Sequence, residues 1–109
     1  MSAFSIRIGG RGCLAAAKIE RLAIIATATG GHIAGNMEVK INGGFTLPPG
    51  VNCDTNYITT KKTTDPDRAM FNMLMKAQAV GQNVRLRITD NPAYKAFAGR
   101  CSIELVDLY

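Results

Sequence analysis

The chain contains a single histidine, His32, and its three cysteines show no CxxC spacing, so the ligands of a zinc site are missing. Catalytic signatures are missing as well. There is no GxSxG, HExxH or GxxxxGK pattern, and the glycine run GGRGC from Gly9 lacks the lysine of a phosphate loop. A cysteine nucleophile at Cys13 or Cys101 would need a base, and His32 is the sole imidazole that could serve. These gaps argue against an enzyme, and no motif asks for a cofactor or a metal. No window approaches the ~18 continuous apolar residues of a membrane span. Ala15, Ala16 and Ala17 would suit a signal-peptidase site, but the preceding residues lack the ~7–15-residue apolar region of a secretory signal, so none is expected.

What the chain does contain is 109 residues, 47% hydrophobic and 19% charged, which describes one globular domain with a modest core. Thirteen Lys and Arg against eight Asp and Glu give a net charge of +5. That balance permits binding to phosphates or acidic sugars. The cations are scattered, with Lys61 and Lys62 the only adjacent pair, so no phosphate-tracking stripe is evident.

The segment from Asp65 to Asp90 is the most explicit in the chain. Asp65 suits an N-cap, Pro66 the first helical position and Asp67 the positive end of the helix dipole. Gly81 is placed to end the helix with a positive φ, and Val84, Leu86 and Ile88 then alternate with Arg85, Arg87 and Thr89 at the strand period. On a helical wheel the polar residues Arg68, Asn72, Lys76 and Asn83 form a narrow stripe. Met70, Met73 and Met75 lie within an apolar surface too wide for one sheet to cover. A second copy of the chain is the natural partner for it, with simple surface tolerance of the methionines as the alternative.

Elsewhere the pattern is mainly β. Residues 1–17 read as a strand through Phe4, Ile6 and Ile8 or as an arm docked on a neighbour, and residues 18–109 as a single domain. Lys18 to Thr29 reads as a long strand, and Asn36 to Ile41 as an alternating one. Asn42 and Gly43 suit a type I′ hairpin turn leading to a short return strand, Gly44 to Leu47. Pro48, Pro49 and Gly50 break the ladder before Asn56 to Thr60 resumes it. The last strand, Cys101 to Tyr109, changes apolar parity at Val106, which predicts a bulge or two buried faces there. The order of strands, one helix and two strands is α+β and consistent with a small barrel capped by a helix.

Three cysteines cannot all pair within one chain. A bridge between Cys53 and Cys101 would link the starts of two strands and leave Cys13 free; three reduced thiols are the alternative in a reducing compartment.

The run FNMLMKAQAVGQNVRLRITDN leading to a late cysteine strand resembles the binding subunits of pertussis-like AB5 toxins of the subtilase type, small bacterial proteins. The resemblance spans Tyr57 to Leu108. It implies a five-stranded OB-fold barrel with one helix between strands 3 and 4, a ring-shaped homopentamer with helices lining its centre, and a carbohydrate-binding surface. No sugar-contacting residue of the family is carried over.

In such a barrel, ligands lie across strands 2 and 3 between two loops. The first carries Gly30, Gly31 and His32; the second runs from Asn91 to Arg100, where Tyr94 and Phe97 interleave with Lys95 and Arg100. Rings can stack on sugars or bases while cations meet anionic groups, and Lys61 adds charge nearby. The alternative for Tyr94 and Phe97 is packing back onto the barrel. Three functional readings follow: an oligomeric glycan-binding module, a cytoplasmic single-stranded nucleic-acid or nucleotide binder using Arg85, Arg87, Lys95 and Arg100, or a protein-interaction or inhibitory module.

Overall fold

A computed structural model describes residues 3–8 and 18–108. Cys13, the Gly9 run, the alanines at 15–17 and Tyr109 lie outside the described residues. Six strands and one helix follow in the order β1 (Ala3–Ile8), β2 (Lys18–Ile25), β3 (Asn36–Asn42), β4 (Tyr57–Thr60), α1 (Ala69–Val80), β5 (Val84–Thr89) and β6 (Ser102–Leu108).

The strands form two antiparallel three-stranded sheets, ordered β1-β5-β6 and β2-β3-β4. This corrects the expected five-stranded barrel. Ala3–Ile8 pairs with β5 along its whole length, from Ala3 opposite Thr89 to Ile8 opposite Val84, which adds a sixth strand and an open edge. Among the described residues, the strands of the two sheets share one backbone bridge, where Ile58 pairs with Cys101 in parallel. Beyond that point the Ile103 amide donates to the Thr60 side-chain hydroxyl at 3.0 Å instead of to a backbone carbonyl, so the ladder stops. No pairing of β1 with β2 closes the circle among the described residues.

The core lies between the sheets. Ile6 and Ile8 from β1, Val84, Leu86 and Ile88 from β5 and Ile103 from β6 face Met37, Val39 and Ile41 from β3 and Ile58 from β4. A disulfide joins Cys53 to Cys101 with a Cα–Cα separation of 5.6 Å, a covalent tie across the seam where the sheets meet. Beside it the Asp54 amide donates to the Gly99 carbonyl at 2.7 Å.

Several local expectations shift. The hairpin after Asn42 does not form: Gly43 and Gly44 turn the chain at positive φ, and the segment to Leu47 contains no strand. The neighbouring position on β3 is taken by the chain entering β4, with the Ile41 amide donating to the Asn56 carbonyl at 2.7 Å. A side chain at Gly44 would meet the Thr55 carbonyl at 2.9 Å, so glycine is required there. Strand β2 ends at Ile25, four residues before Thr29. In β6 the irregularity falls at Glu104 rather than at Val106, since Arg87 pairs with Leu105 and Ile88 with Ile103.

The helix begins at Ala69, not next to Asp65. Residues 65–68 form a turn closed by the Arg68 amide on the Asp65 carbonyl, leaving Pro66 and Asp67 outside the helix. The Asp65 carboxylate nevertheless accepts from the amides of Met70 and Phe71 at 3.0 and 3.1 Å, the bonds an N-cap side chain makes. Gly81 ends the helix at φ 72° as expected from its position. Leu74 and Ala77 are buried, and Met70 and Phe71 are half-buried against the same core. Met73 is half-buried, while Met75 and Val80 are exposed.

Candidate functional site

The loop 91–100 is a braced structure. Asn91 organises its start, accepting the Ala93 amide on its side chain at 3.0 Å and the Tyr94 amide on its carbonyl at 3.0 Å. Lys61 Nζ donates to the Ala93 carbonyl at 3.1 Å, and Lys95 bridges Thr60 at the end of β4. Ala96 is buried and its carbonyl accepts from Asn36 Nδ2 at 3.1 Å. These contacts hold the loop across the side of β3 that does not face the core.

Beneath it lies a buried charge cluster centred on Glu38. Arg100 Nη1 donates to Glu38 Oε1 at 2.6 Å and to Thr59 Oγ1 at 3.3 Å. Arg21 Nη2 reaches Glu38 Oε2 at 3.4 Å from the more exposed side. The Arg100 guanidinium stacks between two rings, 3.9 Å from the Phe97 centroid and 4.5 Å from that of Tyr57. Phe97 also contacts His32, with centroids 4.6 Å apart. Asn36 Nδ2 lies 3.2 Å from His32 Nδ1, and His32 Nε2 lies 3.9 Å from Glu38 Oε1.

The residues singled out by the loop pattern therefore divide into two groups. His32, Phe97 and Arg100 come together, but facing inward, where they hold the loop to the sheet. The Phe97 ring is occupied by Arg100 and lies close over Gly31, where an added Cβ would meet it at 3.2 Å. Tyr94, Lys95 and Lys61 form the outer group, with Tyr94 40% exposed. Met70, Met73 and Met75 belong to the helix, and only Met75 among them is exposed.

Glu38, Asn36, Tyr57 and Arg21 are the participants that sequence reasoning missed. Glu38 alternates with Met37 and Val39 in a pattern that normally marks a solvated face, and nothing local reveals that a loop sixty positions away covers it.

The remaining ion pairs define the surface potential. Arg85 pairs with Asp107 at 2.8 Å, Arg87 with Glu104 at 2.7 Å and Lys40 with Glu20 at 2.7 Å. The hydrogen bond that Lys40 donates to Glu20, reinforced by the carboxylate's charge, holds Lys40 above its ordinary pKa of 10.5. Asp54 and Asp65 accept backbone amides. Lys61, Lys62 and Lys95 pair with no carboxylate among the described residues.

No group of three His, Cys, Asp or Glu that could hold a metal occurs among the described residues, and none of their helices is long and apolar enough to cross a membrane. Compared with protein-family models, curated proteins and solved structures, the chain shows no match.

Proposed function

We propose that the protein is a non-enzymatic, self-associating binding module that recognises a glycan through the outer face of the 91–100 loop. The observation carrying this reading is Tyr94, exposed on a loop whose backbone is braced by Asn91, Lys61 and the Thr60–Lys95 bridge. A preorganised ring lets a sugar face stack without the loss of loop entropy that weakens binding to a mobile segment. The Cys53–Cys101 bond supports the same reading, because disulfides persist in the oxidising compartments where glycans are displayed.

The nucleic-acid alternative has less behind it. Of the cations it would use, Arg85, Arg87 and Arg100 are each engaged by a carboxylate, and Phe97 is already stacked on Arg100. Among the described residues, Tyr94 is the one exposed ring on which successive bases could stack.

Self-association is assigned to the outer helix face, where Met75 is 50% and Val80 57% exposed. A ring, as the toxin resemblance implies, is one assembly compatible with this face. Solution mass tests it: the wild type should be a defined oligomer and Met75→Lys/Val80→Glu a folded monomer, whereas a monomeric wild type would sink self-association.

A glycan array probed with wild type and Tyr94→Ala tests recognition. Binding should be lost in the variant without a change in melting temperature. Failure to bind any glycan, together with steeply salt-dependent binding of single-stranded DNA, would overturn the reading in favour of its alternative.

A further inference from the structure

We propose that the Tyr94 face takes a sulfated polysaccharide, gripped by Lys61, Lys62 and Lys95; this rests on the glycan reading and narrows its ligand class. The lysines come from two segments that lie side by side. Lys95 lies opposite Thr60 in an antiparallel bridge, which sets Lys61 beside the 91–100 loop, where its ammonium reaches the Ala93 carbonyl. Lys62 follows directly, its stem packed over Gly35 so closely that an added Cβ there would lie 3.0 Å from Lys62 Cβ.

None of the three pairs with a carboxylate among the described residues, and, unlike the isolated Lys18 and Lys76, they lie on two adjoining segments. Of the carboxylates close by, Glu38 is buried and already holds Arg100 and Arg21, and Asp65 accepts the amides of Met70 and Phe71. Three cations on the two segments beside the exposed Tyr94 therefore place part of the +5 net charge on this side of the molecule.

The type of cation selects among anionic sugars. Of the guanidiniums in this region, Arg100 is sandwiched between rings and turned inward and Arg21 is engaged by Glu38, so neither offers an unoccupied planar fork to a ligand carboxylate. What remains are ammonium groups on flexible stems, point charges that can each follow a separate anion. Sulfate groups spaced along a sugar chain match that arrangement, with one ring seated on Tyr94. A single-stranded nucleic acid also carries spaced anions, but Phe97 and Tyr57, the rings that could extend the stack, are occupied by Arg100.

The test is a titration of the intact protein with a heparin oligosaccharide, hyaluronan, a neutral oligosaccharide and single-stranded DNA, each in low and moderate salt. Heparin should bind most tightly and weaken with salt. Lys61→Gln/Lys62→Gln/Lys95→Gln should lose about tenfold in affinity, the sum of a few exposed ionic contacts. Lys18→Gln/Lys76→Gln, which removes lysines from β2 and α1, should stay within about twofold at moderate salt, where distant charges are screened. Melting curves verify that the variants fold. Equal binding of hyaluronan and heparin, or an equal loss in both lysine variants, would overturn the proposal. Binding of the neutral sugar alone would overturn it while leaving the glycan reading intact, and preference for DNA would overturn both.

Discussion

Arg100 and Glu38, 62 positions apart in the chain, meet at 2.6 Å beneath a loop that their pairing helps to hold in place. The side chains are only 18% and 7% exposed, so each charge depends on the other for solvation. Arg100→Met leaves the Glu38 carboxylate with the longer Arg21 and His32 contacts and is expected to destabilise the fold by about 3 kcal/mol. The double variant Arg100→Met/Glu38→Leu should recover much of that loss, since it buries no orphaned charge. Chemical denaturation of the variants checks the order, and hydrogen exchange at Ala96 reports whether the loop has loosened.

The Cys53–Cys101 bond closes a segment with a sequence separation of 48. Replacing both cysteines by alanine should cost about 2–4 kcal/mol, through a less constrained unfolded chain. Under denaturing, non-reducing conditions one thiol per chain should react, that of Cys13. Three reactive thiols would show that the bond does not form in the isolated protein.

The start of the helix carries opposing effects in neighbouring residues. Asp65→Ala removes the acceptor of two helix amides and should cost about 1–2 kcal/mol. Arg68 sits at φ 59° with Nη1 buried and without a hydrogen-bond partner. Arg68→Gly should therefore stabilise the protein by up to about 1 kcal/mol, because glycine adopts that backbone without a Cβ clash. Thermal melts of the two variants should move in opposite directions.

Lys40 provides a pH signature. Its pKa is raised by the Glu20 hydrogen bond, so the folded state holds this proton more tightly than the unfolded chain. The contribution to stability is complete below the ordinary lysine value of 10.5 and disappears as pH rises through the higher folded value. In an NMR titration the Lys40 side chain should lose its proton at higher pH in the wild type than in Glu20→Gln.

The toxin-like barrel expected from the segment FNMLMKAQAVGQNVRLRITDN shows where local reading stops. Helix and strand propensities in that segment are satisfied almost as written, with α1 leading into β5. Barrel closure is a property of how β1, β2, β4 and β6 meet, and here β4 and β6 share one bridge before Thr60 redirects the Ile103 amide. The site was partly legible in the same sense. Tyr94, Phe97 and Arg100 stand out in the loop, but the direction each faces depends on Glu38 and Tyr57, which no spacing connects to them.

By itself the sequence determined what acts over a few residues: the alternation of β5, the glycine that ends α1, the carboxylate of Asp65 that serves the helix amides and the excess of positive charge. Those effects rest on backbone sterics and short-range hydrogen bonds, and survive in any tertiary setting. The tertiary structure alone decided that Ala3–Ile8 completes a sheet, that the two sheets stay open, and that Arg100 and Phe97 turn inward while Tyr94 and Lys62 stay exposed. A charge settles where its partner and its solvation are found together, and for Arg100 that place is 62 residues away at Glu38.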